Sequence, residues 1–305
     1  MSTVEGGSVK IVDQSEKSEY ANRVSRLRGV MGAEALAKLT TSNVLIIGLG
    51  GLGVEIAKNV ILTGVKSCVL HDSSPATHAD LASQFYISEK DVGQPRAKTC
   101  LTQLQTLNPY TLVSVHEGEI TEEFLSQFTV VVATGCSYER QVWLDEYCHK
   151  NGIYFIASDV VGVFGRAFCD FGPSFTVVDA NGEAAKECVI ANIVIEGDTA
   201  TVTVHEEKRH GLTDNSFVTF KEIKGTSQLN GCEPKQVQVV DGYSFKVTGC
   251  AKFSAYTEAG IMVEVKQPTK MTFRPLRDCL EDPGNLMLYD LGKFEAPQQV
   301  HLAFA

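Results

Sequence analysis

Six residues, Gly48-Leu49-Gly50-Gly51-Leu52-Gly53, restrict this chain more than any others. They join a continuous apolar run, Asn43 to Ile47 (NVLII), to residues 51 to 63 (GLGVEIAKNVILT), whose apolar side chains recur at helical spacing. A short apolar run without polar alternation reads as a strand buried on both faces, as in a parallel sheet. Strand, G-x-G-x-x-G turn and helix make the first half of a βαβ unit. In such a unit Gly48 permits the tight turn, Gly50 lets the backbone approach a phosphate, and Gly53 brings helix against sheet. The helix N-terminus offers unpaired N–H groups to an anion. The next strand-like stretch, Ser67 to Leu70, runs into His71-Asp72, and Asp72 stands where a carboxylate can accept from ribose hydroxyls.

The alternation continues. Residues 96 to 107 (RAKTCLTQLQTL) are amphipathic and stop at Asn108-Pro109. Strand patterns at 111–116, 128–133, 153–157 and 161–169 surround a helical pattern at 138–149. Residues 20–172 therefore predict a doubly wound, Rossmann-like α/β domain. Gly32 to Leu39 (GAEALAKL) predicts a helix before the first strand. The polar residues 1–19 are expected to be disordered. After Phe171-Gly172-Pro173 the period changes to that of strands, with turns at Asn181-Gly182, Asn230-Gly231 and Asp241-Gly242. Residues 173–265 predict a small all-β barrel, with strands near 174–178, 188–195, 200–205, 216–221, 236–240, 244–247 and 260–265. Residues 266–305 read as a return segment, expected to be truncated because the sequence stops directly after the apolar stretch Val300 to Phe304.

Composition narrows the function classes. The net charge of −10 disfavours non-specific nucleic-acid binding, which needs clustered Lys and Arg. There is no run of 18 apolar residues, so no membrane span is expected. The nine cysteines form no CxxC pair, which argues against structural zinc. Their odd number, without a secretory signal, suits reduced thiols in the cytosol or nucleus. The glycine loop alone suits a NAD-dependent dehydrogenase, a methyltransferase-like fold or an adenylating enzyme. It equally suits glycines kept only for helix–sheet packing. Cys148-His149 diverge as adjacent residues of a helix and read as packing. Cys232 reads as inert, Arg209-His210 as a surface loop, and Trp143 as cover for a helix–sheet seam.

Several segments resemble one family: NVLIIGLGGLGVEIAKNVILTGVKSCVLHD, ADLASQFYISEKDVGQPRA, CHKNGIYFIASDVVGVFGRAFCDFG, RHGLTDNSFVTFKEIKG and LNGCEPKQVQVVDGYSF. Together they resemble the amino-terminal region of ubiquitin-activating enzymes over about residues 20–305. The β insertion directly after FCDFG is the specific part. The resemblance implies that residues 20–172 are the first part of an inactive, ThiF-like adenylation domain. It implies that 173–265 are the first catalytic-cysteine half-domain, which lacks the nucleophile and helps cradle ubiquitin. The active adenylation domain, which uses ATP and Mg, would lie later in the full-length chain, as would the nucleophilic cysteine.

Active domains of the superfamily carry D-x-D…N-x-x-R-Q-F after the second strand, then a lysine and a late aspartate. Here Asp72-Ser73-Ser74 places Ser74 at the second Asp position, Asp80 at the Asn position and Ser83 at the Arg position. Arg96 takes the lysine position and Cys136 that of the late aspartate. A site with these changes lacks the preorganised positive charge that a triphosphate requires. Gly48, Gly50, Gly53 and Asp72 then form a vestigial nucleotide site, with no catalytic group and no tightly bound cofactor expected in this region. One arginine of the inactive domain acts in trans on the ATP of the active domain. Arg26 is the candidate, with Arg23 and Arg28 close by, because a guanidinium forks onto phosphate oxygens. Implied partners are ubiquitin, the active adenylation domain and, indirectly, ubiquitin-conjugating enzymes, with neither nucleic acid nor membrane; the implied compartments are cytoplasm and nucleus. The alternatives are an independent nucleotide-binding enzyme and a subunit of an activating enzyme for another ubiquitin-like protein.

Overall fold

A computed structural model describes residues 14–282. They form two compact units, residues 14–173 with 272–282, and residues 174–271. The first unit opens on a helix, α1 (Gln14–Thr41), broken at Gly32, whose φ of 81° and ψ of 165° are non-helical. Residues 14–19, expected to be disordered, are therefore helical. Gln14, Glu16, Lys17 and Glu19 are good helix formers, and no Gly or Pro interrupts them before Gly29. The helix expected at 32–39 is the second leg of α1.

The chain then alternates through β1 (Asn43–Ile47), α2 (Gly51–Thr63), β2 (Ser67–His71), α3 (Arg96–Leu107), β3 (Leu112–Val115), α4 (Glu122–Leu125), β4 (Val130–Ala133), α5 (Tyr138–Asn151), β5 (Tyr154–Val161) and β6 (Phe164–Asp170). The sheet order is β3-β2-β1-β4-β5-β6, with β6 alone antiparallel to its neighbour. This is the doubly wound class expected. Strand order reverses at β1, so a crevice opens beyond the carboxyl ends of β1 and β4. Alternate residues of β1 face opposite layers. Val44 and Ile46 pack with Val54, Ala57 and Ile61 of α2 and Leu104 of α3. Leu45 and Ile47 pack with Leu125, Phe128, Leu144 and Phe155. α2 ends at Gly64, which takes a left-handed φ of 91° and donates its N–H to Ile61 O. The four-residue α4 went unread because it is too short to show a period; the Thr121 hydroxyl caps it.

The second unit contains β7 (Phe175–Val177), β8 (Glu187–Glu196), β9 (Thr199–Val204), β10 (Phe217–Lys221), β11 (Lys235–Gln236), β12 (Gln238–Val239), β13 (Ser244–Thr248), β14 (Ile261–Val265) and β15 (Thr269–Met271). Seven strands run β11-β10-β14-β8-β9-β13-β12, all antiparallel. β11 and β12 are one extended run divided at Val237, which is buried and donates its N–H to Ser216 O at 2.9 Å. One half of that run pairs with β10 and the other with β13, so the row closes into a barrel. Phe220, Leu229 and Phe245 fill it. β7 and β15 pair as a separate ribbon where the chain enters and leaves this unit. The chain then re-enters the first unit and forms α6 (Leu276–Glu281). The apolar stretch Val300 to Phe304 lies outside the described residues.

Two stability tests follow from the packing. Phe245 is fully buried in the barrel. Phe245→Ala is expected to destabilise the second unit by about 3–5 kcal/mol, read from its urea midpoint. A Cβ at Gly53 would stand 1.8 Å from Gly48 O, whereas one at Gly50 meets nothing nearer than Arg96 Nη1 at 3.9 Å. Gly53→Ala is therefore expected to cost roughly 3 kcal/mol or more. Gly50→Ala, at the N-cap of α2, should cost about 1 kcal/mol or less in the same melt.

Candidate functional site

Beyond the ends of β1, β2 and β4 lies a cleft of about 600 Å³. The glycine loop forms one wall, and Asp72, Arg96, Thr134 and Asp159 stand around it. The loop is fixed from several sides. Gly48 N–H donates to His71 O at 2.9 Å, and the Thr134 hydroxyl donates to Gly48 O at 2.9 Å. Buried Gln84 donates from Nε2 to Leu49 O at 3.3 Å. A Cβ on Gly48 would lie 2.1 Å from Thr134 O. Gly48 and Gly53 are thus required by the packing itself. Gly50 has open space before it.

Asp72 is buried at the centre of this wall. Its Oδ2 accepts from Leu49 N–H at 2.7 Å and Arg96 Nε–H at 2.9 Å, and its Oδ1 accepts from Ser74 N–H at 2.9 Å. Three donors leave this carboxylate little capacity for a ribose hydroxyl. The same guanidinium donates from Nη1 to Asp80 Oδ1 at 3.1 Å. The Thr77 N–H and hydroxyl both donate to Asp80 Oδ2 at 2.8 Å. Burial opposes the charge on Asp80, but the Thr77 donors and Arg96 outweigh it and hold the carboxyl below its ordinary range. Burial likewise opposes the charge on Arg96, and Asp72 and Asp80 overcome it. Asp72, Arg96 and Asp80 form an ion triad, of which Asp72 and Arg96 line the cleft.

The other departures from the active pattern also reach this place. Ser83 packs on Gly51, with its Cβ 2.9 Å from where a Cβ of Gly51 would stand. Ser74 lines the cleft and contributes its backbone N–H. The Cys136 thiol is pushed up to about 11 by burial, then by the Asp159 charge, so it stays a neutral thiol in the place of a carboxylate. Asp159 was not found from sequence. β5 was expected to end at Ala157 but runs to Val161, which carries Asp159 to the rim. There its Oδ1 accepts from Gly135 N–H at 2.6 Å, and its Oδ2 accepts from Arg166 at 2.6 Å and Gln141 at 3.2 Å. The polar break Ser158-Asp159 after an apolar strand was the available signal. Of the charged side chains lining the cleft among the described residues, Glu55, Asp72 and Asp159 are acidic and Arg96 alone is basic. Among the described residues no group of His, Cys, Asp and Glu is arranged to hold a metal ion.

Arg26 is not brought to this cleft. It is exposed on α1 and lines a second groove with Leu62, Thr63 and Gly64, at the opposite end of α2 from the glycine loop. The 13 residues of α2 separate the two places by about 20 Å. Arg28 is exposed as well, and the Arg23 side chain lies outside the described part of α1. His210, read as part of a surface loop, is buried: Nε2–H donates to Asp241 O at 2.7 Å and Nδ1 accepts from Leu212 N–H at 2.9 Å. It closes a loop of the barrel, where a polar ring with two backbone partners is accommodated without charge. Cys148 is buried, and burial raises the thiol of the half-buried Cys232. Trp143 packs partly buried against the α5 layer, with the Arg140 guanidinium 4.4 Å above its ring. No helix among the described residues is long and apolar enough to cross a membrane.

Residues 21–265 match the ThiF family. Residues 267–305 match the ubiquitin-activating enzyme E1 four-helix bundle. Ubiquitin-like modifier-activating enzyme 1 of Mus musculus is 42% identical over 280 residues, covering 92% of this chain and 26% of the relative. Ubiquitin-activating enzyme E1 2 of Arabidopsis thaliana is 43% identical over 283 residues, covering 92% and 26%. Ubiquitin-activating enzyme E1 1 of Schizosaccharomyces pombe is 42% identical over 294 residues, covering 96% and 29%. The chain spans about a quarter of the length of these relatives. The parallel sheet with its glycine loop at the switch point, and the match that runs through the inserted barrel, agree: the chain belongs to the ThiF family and is related to the amino-terminal region of ubiquitin-activating enzymes.

Proposed function

We propose that this chain is the non-adenylating half of a ubiquitin-activating enzyme. The whole enzyme uses ATP and Mg to adenylate the ubiquitin C-terminus and then forms a ubiquitin thioester on a cysteine outside this region. The first unit scaffolds the active adenylation domain, and the barrel helps hold ubiquitin; conjugating enzymes are met indirectly. The work is done in the cytoplasm and nucleus.

The observation that carries this reading is the Asp72–Arg96–Asp80 triad. Adenylation needs fixed positive charge where the phosphates lie. Among the described residues the one basic side chain lining the cleft is paired with two carboxylates, and Asp159, which also lines it, is paired with Arg166. A triphosphate would have to displace these ion pairs. Arg26, exposed and distant from its own chain's cleft, is free to serve the ATP of the active domain instead. The open approach to Gly50 favours one alternative, an independent nucleotide-binding enzyme. A subunit of an activating enzyme for another ubiquitin-like protein is the remaining one.

Calorimetric titration of the purified chain with Mg-ATP, and separately with NAD, is expected to give no heat of binding. Tight binding of either, abolished by Asp72→Ala, would make the cleft live and the reading wrong. In the full-length enzyme Arg26→Ala is expected to slow ubiquitin adenylation about 100-fold or more in pyrophosphate exchange. Arg26→Lys should not restore it, since lysine cannot fork onto two oxygens. An unchanged rate would remove the trans role.

A further inference from the structure

Within the six-stranded sheet, β1 and β4 are packed on both faces. At β5 and β6 only one face is packed. Phe155 and Ala157 of β5 and Phe168 of β6 pack with Leu144 and Cys148 of α5. On the other face Ile156 is partly buried in the layer of α2 and α3. Cross-strand pairing carries that face onto β6: Ile156 lies opposite Cys169, Ser158 opposite Ala167 and Val160 opposite Gly165. Gly165, Ala167 and Cys169 are all exposed, and none belongs to either packed layer.

The hairpin joining the two strands is apolar and bare. Val161 pairs with Phe164 across the two-residue loop Gly162-Val163, in which Gly162 takes a φ of 62°. Such a turn needs its glycine, but it does not need an apolar residue after it. Val160 and Val161 are 60% and 65% exposed, Val163 92% and Phe164 75%. Successive apolar side chains left to solvent mark a surface that meets a partner.

The sheet itself says what kind of partner fits. A doubly wound sheet is covered by helices on both faces, so the missing cover is a helix. Small side chains at Gly165, Ala167 and Cys169 let a helix axis come close, and the apolar hairpin gives its face an anchor at one end. The return segment leaves on the wrong side to supply it. Leu276 N–H and Arg277 Nε–H of α6 donate to Asp145 Oδ2 at 2.5 Å and Glu146 Oε1 at 2.7 Å, on α5 of the opposite layer. The curated relatives, of which the chain covers 26–29%, have ample further sequence to do so.

We propose that the bare face of β5 and β6, with its hairpin, seats the apolar side of a helix that the full-length chain supplies from beyond these 305 residues. This rests on the reading of the chain as one half of a larger enzyme. It gives the scaffolding role of the first unit a definite surface, separate from Arg26.

Cys169, exposed on that face, reports the cover. Its alkylation by iodoacetamide is read by peptide mass spectrometry and scaled to the same thiol in urea. Cys169 is expected to react freely in the 305-residue chain and about tenfold or more slower in the full-length enzyme. Ala167→Arg should leave the melt of the 305-residue chain unchanged and restore the labelling of Cys169 in the full-length enzyme. Equal labelling of the two wild-type proteins would overturn the proposal, and decides the matter should the variant fail to fold. Protection already present in the 305-residue chain would also overturn it. Protection that deepens with concentration would name a second copy as the cover, and protection independent of concentration would name residues 283–305. Outward amides of β6 protected from hydrogen exchange in the full-length enzyme would mean a strand added at the sheet edge, which likewise sinks the helix. ATP binding in the cleft would defeat the proposed function without moving this labelling, so the two failures are distinguishable.

Discussion

The carboxylate of Asp72 ties together the parts that define the first unit. It leaves β2, takes the backbone N–H of Leu49 in the glycine loop, and holds Arg96 at the start of α3. Loop, second strand and third helix are therefore anchored to one buried group. In a nucleotide-binding relative of this architecture, a carboxylate in that place faces the ligand. Here it lines the cleft but is held by three donors of its own chain. The same glycines that would admit a phosphate serve the packing of α2 on β1, since neither Gly48 nor Gly53 has room for a Cβ. Packing alone is enough to require two of the three glycines of this signature.

Charge explains how the start of α3 is held to the end of β2 beside the cleft. Asp80 would be costly beside Asp72 were Arg96 not between them. Arg96 reaches both carboxylates because its donors form a planar fork, which a point-like ammonium would not match. The two residues are complementary. With Asp72 they form an internal ion triad.

Much of this was legible in the sequence. The strand at 43–47 was readable as a continuous apolar run ending at Gly48, and the helices at 51–63 and 96–107 from an uninterrupted period with a Gly or Pro close after each. The barrel was readable as a class, from strand alternation and Asx-Gly turns. Its closure was not: nothing local in Gln236 to Val240 tells that the run changes partner at Val237. The kink at Gly32 and the helix from Gln14 were missed because a polar, amphipathically weak segment looks like a tail. In the cleft, Asp72, Asp80 and Arg96 were identified as departures from a pattern, but their mutual pairing is a three-dimensional fact. Asp159 escaped because its importance depends on the partners it meets, Gly135, Gln141 and Arg166, which a polar break after an apolar strand signals only in part.

The insertion of the barrel between β6 and α6 has a temporal consequence. All six strands of the parallel sheet are encoded before residue 171, whereas Leu276 follows only after the whole second unit. At a synthesis rate of about 5–20 residues per second, the ribosome spends on the order of 5–20 s producing the intervening barrel. During that interval the sheet can assemble on the nascent chain, yet the Asp145 carboxyl has no backbone N–H to receive. A nascent first unit would thus hold the buried Asp145 carboxyl without this donor until its last helix emerges.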